Sequence, residues 1–149
     1  MQVLNLPSAP LRLTNLRGQA LVFDICRRRW VKLTPEEWVR QHWLHYLIGD
    51  LGFSKSLIKV EQTVGKGTSM FRADVVAYRD ASLTPYLILE CKAAHVPLGE
   101  SELQQLLHYQ HYIAAHALAI SNGLDHIFFE KNSEGVMQPV AKLSIMENK

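Results

Sequence analysis

Three charged residues stand in stretches of the sequence that otherwise have the apolar character of buried strands. Asp74 lies in one such stretch, and Glu90 and Lys92 follow the most apolar one, residues 86–89. Residues two apart in a strand project from the same face, so Glu90 and Lys92 should lie together while Cys91 points the opposite way. The spacing therefore predicts an acidic and a basic group side by side at the end of one strand.

The short connection between the two strands predicts that Asp74 lies beside Glu90. Two carboxylates held that close repel each other unless a proton or a cation neutralises them. Mg²⁺ is commonly held by one or two carboxylates, with waters and substrate phosphates in its remaining positions. Lys92 adds a positive charge that can orient a water and offset the charge growing on phosphorus. The set indicates phosphodiester hydrolysis by metal-activated water, and its alternative is an ordinary cross-strand salt bridge.

The same residues carry a resemblance to a known superfamily. Asp74, a gap of 15 residues and then Glu90-Cys91-Lys92 resemble the PD-(D/E)xK nuclease motif. The residue before Asp74 is Ala73 where the motif has proline, a common departure in that superfamily. The resemblance implies an α/β fold of the restriction-endonuclease-like kind, in which helices flank a mixed central sheet.

A second motif extends the resemblance to a narrower group. Gln105 and Tyr109 are four residues apart in a predicted helix and therefore share one helical face. The pair is similar to the Gln-x-x-x-Tyr motif of RecB-like nucleases and of the N-terminal nuclease domains of type I restriction enzyme R subunits. Across residues 31–123, short sequence segments such as Arg-Ala-Asp-Val-Val, Glu-Cys-Lys-Ala and Ser-Asn-Gly resemble the type I restriction R protein N-terminal family.

The resemblance implies a metal centre at the acidic residues. Asp74 and Glu90 match its metal-binding carboxylates, and the backbone carbonyl of Cys91 would add a further ligand. The implied metal is Mg²⁺, with Mn²⁺ as a possible substitute. Lys92 matches the catalytic lysine, and DNA is the implied substrate.

Three further residues take roles from the same resemblance. Gln105 and Tyr109 match the pair that positions the site and contacts the DNA backbone. Glu37 matches an acidic position on the first helix that completes some of these sites, although it is also the third residue after a Thr34 N-cap, where a capping box explains it equally well. The subunits or motor of a restriction complex are the implied protein partners.

The elements that must position these residues follow from local patterns. Thr34 as N-cap and Pro35 at the first helical position predict a helix that runs to about Gly49. Apolar stretches separated by turn-like residues predict strands, and residues 20–33 form the simplest case, a hairpin around a basic turn. The remaining predicted elements are an antiparallel meander of residues 56–64, 70–78 and 85–91, a helix over 100–114, and strands over 117–121 and 125–130.

The composition fits one globular domain spanning residues 1–149. At 48% hydrophobic and 20% charged residues, the chain can form its own core. We expect an irregular arm over residues 1–18, with one edge strand around residues 11–14, and a core carrying the motifs over 31–130, with no room for the helicase motor of a full R subunit. No run reaches about 20 apolar residues and no secretory signal is present, which predicts a cytoplasmic protein without a membrane partner.

The charge is small but uneven along the chain. The net charge is +2, yet residues 1–75 hold 11 Lys and Arg against 6 Asp and Glu, whereas residues 76–149 hold 5 against 8. The densest basic cluster is residues 27–29. This cluster could either contact phosphate groups or form an ordinary solvated surface, and the sequence does not decide between the two. The two cysteines give no ligand spacing for zinc and no disulfide framework.

These observations favour a Mg²⁺-dependent DNA endonuclease-like domain. The first alternative is a DNA-binding or assembly module that keeps the nuclease fold without turnover of its own, which predicts salt-dependent DNA binding without cleavage. A metal-free structural domain is the second alternative, and it requires that Asp74 and Glu90 lie far apart.

Overall fold

A computed structural model describes residues 2–82 and 84–147 of the chain. Its elements are two helices, nine strands in two sheets, and two short 3-10 helices over Lys55–Leu57 and Ser144–Met146. The helices are α1, Pro35–Gly49, and α2, Glu100–Tyr112. The strands are β1 Leu13–Leu16, β2 Gln19–Asp24, β3 Arg29–Lys32, β4 Ile58–Lys66, β5 Ser69–Ala77, β6 Leu87–Cys91, β7 Ala117–Ser121, β8 His126–Lys131 and β9 Met137–Val140.

The larger sheet contains six strands in the order β4-β5-β6-β7-β8-β9. Within the described residues, β6 and β7 pair in parallel and the other neighbours pair antiparallel. A parallel pair needs a crossover connection, and α2 supplies it. The predicted meander, crossover helix and mixed α/β sheet are therefore confirmed. Both β6 and β7 are buried along their whole length, as their continuous apolar sequence indicates.

The two helices cover opposite faces of the six-stranded sheet and create two apolar cores. On the α1 side, Trp43 and Leu47 pack with Leu89 of β6. On the α2 side, Leu106 packs with Ile88 of the same strand. Neither helix is long and apolar enough to cross a membrane. The central strand β6, which ends in the candidate site, is thus held from both sides.

The first helix begins as its sequence predicts. The hydroxyl of Thr34 accepts a hydrogen bond from the backbone N–H of Glu37 at 3.0 Å, with Pro35 in the first turn. The reciprocal half of the expected capping box is replaced, because the Glu37 carboxylate instead accepts hydrogen bonds from Arg27 and Gln41. One face of the helix start is consequently fixed to the preceding hairpin.

Three details differ from the sequence-based expectations. The arm over residues 1–18, expected to be irregular with one edge strand around residues 11–14, forms its strand at β1, Leu13–Leu16, which pairs antiparallel with β2. The second helix ends at Tyr112, not at residue 114, because Ile113 is already extended as the chain turns toward β7. Strand β9 was not expected; it lies at the edge of the sheet, where Pro139 is tolerated.

The N-terminal arm is attached to the turn between β7 and β8. The backbone N–H of Asn5 donates to the carbonyl of Gly123 at 2.7 Å, and the side chain of Leu4 joins the α1 core. A Cβ at position 123 would lie 2.8 Å from the Leu4 side chain, and φ there is +86°, so glycine is required twice over. His126 completes the attachment through Nε2, 3.1 Å from the Asn5 carbonyl oxygen, and Nδ1, 2.8 Å from Ser121 Oγ.

We predict that acidification weakens this attachment. Burial lowers the pKa of His126 below its ordinary value of 6.5, so the unfolded chain binds the proton more readily than the folded one. The stabilisation from neutral His126 is therefore complete above the ordinary pKa and is lost as the pH falls. The free energy of unfolding, measured at pH 7.5 and pH 5.5, should fall more steeply in the wild-type protein than in His126→Gln. Equal slopes would contradict the assignment.

Candidate metal and catalytic site

The pairing of β5 with β6 brings the two predicted carboxylates together. The last paired residues are Val75 and Leu89, and the same register places Asp74 opposite Glu90. The backbone N–H of Asp74 donates to Glu90 Oε1 at 3.3 Å, and the backbone N–H of Cys91 donates to Asp74 Oδ2 at 2.7 Å. The predicted proximity is confirmed, and the separation that a metal-free structural domain requires is not found.

Strand β5 changes its orientation at Asp74. Residues two apart in a regular strand share a face. Ala73 nevertheless packs in the α2 core and Val75 in the α1 core, so the alternation of the strand is interrupted between them. On the neighbouring strand β4, Glu61 would pair with Asp74 but has a left-handed φ of +56°, and the pairing skips this position. The interruption lets Asp74 be approached from the elements on both sides of the sheet.

The Asp74–Glu90 pair is electrostatically strained without a cation. Glu90 is only 4% exposed, and its burial together with the negative charge of Asp74 raises its pKa to about 8. A divalent cation between the carboxylates would relieve both effects. No cluster of three or more His, Cys, Asp or Glu side chains with metal-binding geometry is found in residues 2–82 and 84–147. Two carboxylates fit Mg²⁺, which retains several waters in protein sites.

Gln105 and Tyr109 lie on the α2 side of the carboxylate pair. Gln105 Nε2 is 3.2 Å from the Tyr109 hydroxyl and 3.5 Å from Glu90 Oε2, and the Tyr109 hydroxyl donates to the Arg72 carbonyl at 3.4 Å. Burial, followed by the charge of Glu90, raises the pKa of the Tyr109 phenol, so it stays protonated. The two residues share one helical face as predicted, and they connect α2 to Glu90 and to the backbone of β5.

Lys92 follows β6 directly and is half-buried. Its backbone N–H donates to the carbonyl of Ser121 at 2.8 Å and so extends the parallel pairing with β7 by one residue. Its positive charge opposes the rise in the pKa of Glu36. Within the part of the chain that the structure describes, Lys92 forms no ion pair, so its ammonium group is available to a ligand.

Glu37 belongs to an ion-pair network with two arginines. Its carboxylate binds Arg27 at 2.7 Å and is 3.5 Å from Arg40 Nε. The pKa of the neighbouring Glu36 is raised by its burial and by the charge of Asp74. The charge of Asp74 thus acts on Glu36, whereas Glu37 contacts Arg40, which in turn lies 3.8 Å from Asp74.

Arg40 connects α1 to the candidate site, and sequence analysis did not single it out. Its Nη2 atom is 3.8 Å from Asp74 Oδ1 and 3.2 Å from Glu36 Oε1, and its Nη1 atom lies 3.4 Å from Glu61 Oε1. Burial alone would lower the pKa of Arg40, but the carboxylates of Glu37 and Asp74 outweigh it and raise that pKa. Its spacing of four residues from Glu36 was the available signal, since such residues share a helical face.

Arg27, from the basic cluster, is part of the protein interior. Its guanidinium is 2.7 Å from Asp24, 2.7 Å from Glu37 and 3.3 Å from Glu61. Burial would raise the pKa of Asp24, but hydrogen bonds from Arg27 and Gln41 outweigh it and lower that pKa. Of the three clustered arginines, this one is therefore engaged in folding and is not free to contact phosphate.

An open cleft of about 530 Å³ lies at the start of α1. Glu36, Arg40 and Glu61 line it together with Ala93 and His95, which follow Lys92 in the chain. Neither Asp74 nor Glu90 is among its lining residues, but Arg40, which lies 3.8 Å from Asp74, connects the cleft to the carboxylate pair.

The fold and the site together define a class. Two helices around a mixed sheet, carboxylates on two adjacent strands and a lysine two residues after the second constitute a restriction-endonuclease-like α/β domain. The family model described as type I restriction enzyme R protein N terminus matches residues 35–143, and the chain belongs to this family. No curated protein and no solved structure gives a significant match to the chain. The matched range contains both helices, the six-stranded sheet and every site residue predicted from the sequence, whereas β1–β3 lie outside it.

Proposed function

We propose that the chain is a Mg²⁺-dependent DNA endonuclease-like domain that hydrolyses phosphodiester bonds. The observation that carries this proposal is the direct contact of Asp74 with Glu90 and Cys91 at the end of a buried strand, with Lys92 immediately after it. The family of restriction enzyme R protein N termini supports a nuclease-like role. Its proposed partners are DNA and the other subunits of a restriction complex, in the cytoplasm.

Asp74, Glu90 and the backbone carbonyl of Cys91 would hold the metal ion. When bound, Mg²⁺ would supply a Lewis acid that offsets phosphate charge and makes water a stronger nucleophile at neutral pH. Lys92 would orient the attacking water and stabilise the negative charge that develops on the phosphate oxygens. Its lack of an ion-pair partner among the described residues leaves the ammonium group free for this role.

The remaining predicted residues would position this set. Gln105 and Tyr109 would hold Glu90 in place and contact the DNA backbone, and their short contacts with each other and with β5 support that role. Glu37 would act indirectly, by orienting Arg40 beside Asp74. Glu36, which is partly exposed and close to Asp74 electrostatically, is the better-placed acidic side chain of α1 to face the metal ion.

One observation favours a second function. Arg40 lies 3.8 Å from Asp74 and offsets part of the charge that a metal ion would otherwise neutralise. A domain balanced in this way could bind DNA or assemble with other subunits without hydrolysing the backbone. This candidate predicts salt-dependent DNA binding and no cleavage with any divalent metal.

Plasmid cleavage distinguishes the two functions. We expect the wild-type protein to convert supercoiled plasmid to nicked or linear forms with Mg²⁺ or Mn²⁺, and EDTA to stop the reaction. Asp74→Asn should abolish cleavage because it removes a metal-binding charge, whereas Asp80→Asn, a matched change at an exposed loop residue, should retain it. Cleavage at the wild-type rate in Asp74→Asn would refute the assignment, and binding without cleavage in the wild type would favour the second function.

A further inference from the structure

The three-stranded sheet β1–β3 is the most basic part of the molecule. Residues 11–33 contain six Lys and Arg and one Asp, a net charge of +5, whereas the rest of the chain contains ten basic and thirteen acidic residues. This region lies outside the range that the family model matches, and it contributes Val31 and Lys32 to the lining of the cleft at the start of α1 but none of the proposed metal-binding or catalytic residues. The charge is therefore concentrated on one element, next to a domain that is otherwise slightly acidic.

Most of these cations are exposed and unpaired. Arg12, Arg17, Arg28, Arg29 and Lys32 are all exposed to solvent. None of the five forms an ion pair with a residue in the described ranges, whereas the sixth, Arg27, is internal. A basic surface that lacks internal counterions suits a polyanionic ligand, because contact with it releases the counterions that such a ligand condenses.

The outer face of this sheet combines cations with aromatic rings. The register of β2 with β3 places Phe23 opposite Trp30, and their ring centroids are 5.4 Å apart. The Arg12 guanidinium carbon is 4.5 Å from the Phe23 centroid and 5.5 Å from the Trp30 centroid. Lys32, two residues after Trp30 in the same strand, belongs to this face as well. Because Trp30 remains 41% exposed, the face is open to a partner.

Both hairpin turns of this sheet use arginine where glycine would be easier to accommodate. Arg17 has φ +51° and Arg28 has φ +59°, in the left-handed region that disfavours side chains with a Cβ. The backbone conformation does not explain the choice of arginine at either turn. The exposed side chains of these two arginines place a positive charge at each end of the sheet.

Ion pairs connect the basic sheet to the candidate site. Arg27, in the turn between β2 and β3, binds Glu37 of α1 and Glu61 of β4. Arg40 also approaches both of these carboxylates and lies 3.8 Å from Asp74. A ligand on the sheet would consequently be held in a defined position relative to the carboxylate pair.

We propose that the outer face of β1–β3 binds the phosphate backbone of duplex DNA and so holds the substrate next to the Asp74–Glu90 pair. The proposal rests on the proposed function, and it adds a binding surface outside the nuclease core. Duplex DNA fits because it carries about one negative charge per 1.7 Å of its axis, and flexible, exposed Arg and Lys side chains contact phosphates without reading sequence. The surface therefore provides affinity that is independent of sequence.

The salt dependence of DNA binding tests the proposal. We would compare the wild-type protein with Arg17→Gln/Arg28→Gln, which changes one exposed arginine at each hairpin turn, and with a control that removes two cations elsewhere, Arg79→Gln/Lys142→Gln, in EDTA to prevent cleavage. At about 100 mM salt, the first double variant should bind a short duplex on the order of tenfold more weakly. The slope of log K against log salt should become shallower by about 1.8, because each of the two lost phosphate contacts contributes about 0.9 to it. The control should stay within about twofold of the wild-type affinity.

The outcomes separate this inference from the proposed function. If the wild-type protein cleaves DNA but the first double variant binds with unchanged affinity and slope, only the β1–β3 surface is refuted. If the wild-type protein neither binds nor cleaves DNA, the proposed function fails first. If the double variant loses binding to phosphatidylserine vesicles and keeps its binding to DNA, the surface is a membrane contact and the inference is wrong. Unchanged thermal midpoints would show that both variants fold.

Discussion

Lys92→Met is expected to slow metal-dependent DNA cleavage by about two to three orders of magnitude, the usual loss when one preorganised charge is removed from a transition state. Methionine keeps most of the volume of the lysine stem, so the end of β6 and its pairing with Ser121 should be preserved. The loss should appear in the single-turnover rate constant at saturating protein. Affinity for uncleaved duplex should change by less than about threefold, because one phosphate contact at most is removed.

Two comparisons make the Lys92 result specific. Lys142→Met removes an exposed lysine far along the chain and should leave the cleavage rate unchanged. Lys92→Arg keeps the charge but changes the geometry of the donor, so partial activity is expected. A Lys92→Met protein that is folded and cleaves at the wild-type rate would show that this lysine has no part in the reaction.

Arg27→Ala should destabilise the folded protein by about 3–5 kcal/mol, the typical consequence of removing one partner from a buried ion pair. Asp24 is fully buried and receives its strongest interactions from Arg27, so the substitution leaves a carboxylate without its counterion. Glu37 and Glu61 lose the same partner. For a chain of this size the thermal midpoint should fall by roughly 10 °C.

The adjacent arginine provides the matched control for this prediction. Arg28 is exposed and lies outside the ion-pair network, so Arg28→Ala should change the free energy of unfolding by no more than about 0.5 kcal/mol. Denaturant unfolding of both variants, monitored by tryptophan fluorescence, measures the difference. Equal effects for Arg27→Ala and Arg28→Ala would mean that the network contributes nothing to stability.

Local patterns in the sequence were sufficient for most of the fold. The start of α1 was predictable because Thr34 and Pro35 act on neighbouring backbone groups. The buried strands were predictable because burial on both faces demands continuous apolar residues. Strand β9 was not predictable and β1 was predicted two residues too early, because an exposed edge strand needs no alternation of apolar and polar side chains; every residue of β1 is exposed.

Some features of the candidate site were likewise predictable from the sequence, and others were not. Short connections and strand spacing were enough to place Asp74 beside Glu90, since neighbouring antiparallel strands fix their own register. The orientation of Glu36 and Glu37 relative to the carboxylate pair could not be derived from the sequence, because adjacent residues differ by about 100° around a helix and the rotation of α1 depends on its packing. The bonds from Arg27 to Glu61 join residues 34 positions apart, and no local pattern encodes such a contact.

Calorimetric titration of Mn²⁺ into the metal-free protein is the most direct test of the carboxylate pair as a metal centre. The geometry of Asp74 and Glu90 predicts one binding site per chain in the wild-type protein. Glu90→Gln, which removes a charge while preserving shape, should lose that site, and Glu134→Gln, at an exposed turn residue, should retain it. Binding of Mn²⁺ that is unchanged in Glu90→Gln, or absent from the wild-type protein, would contradict the assignment.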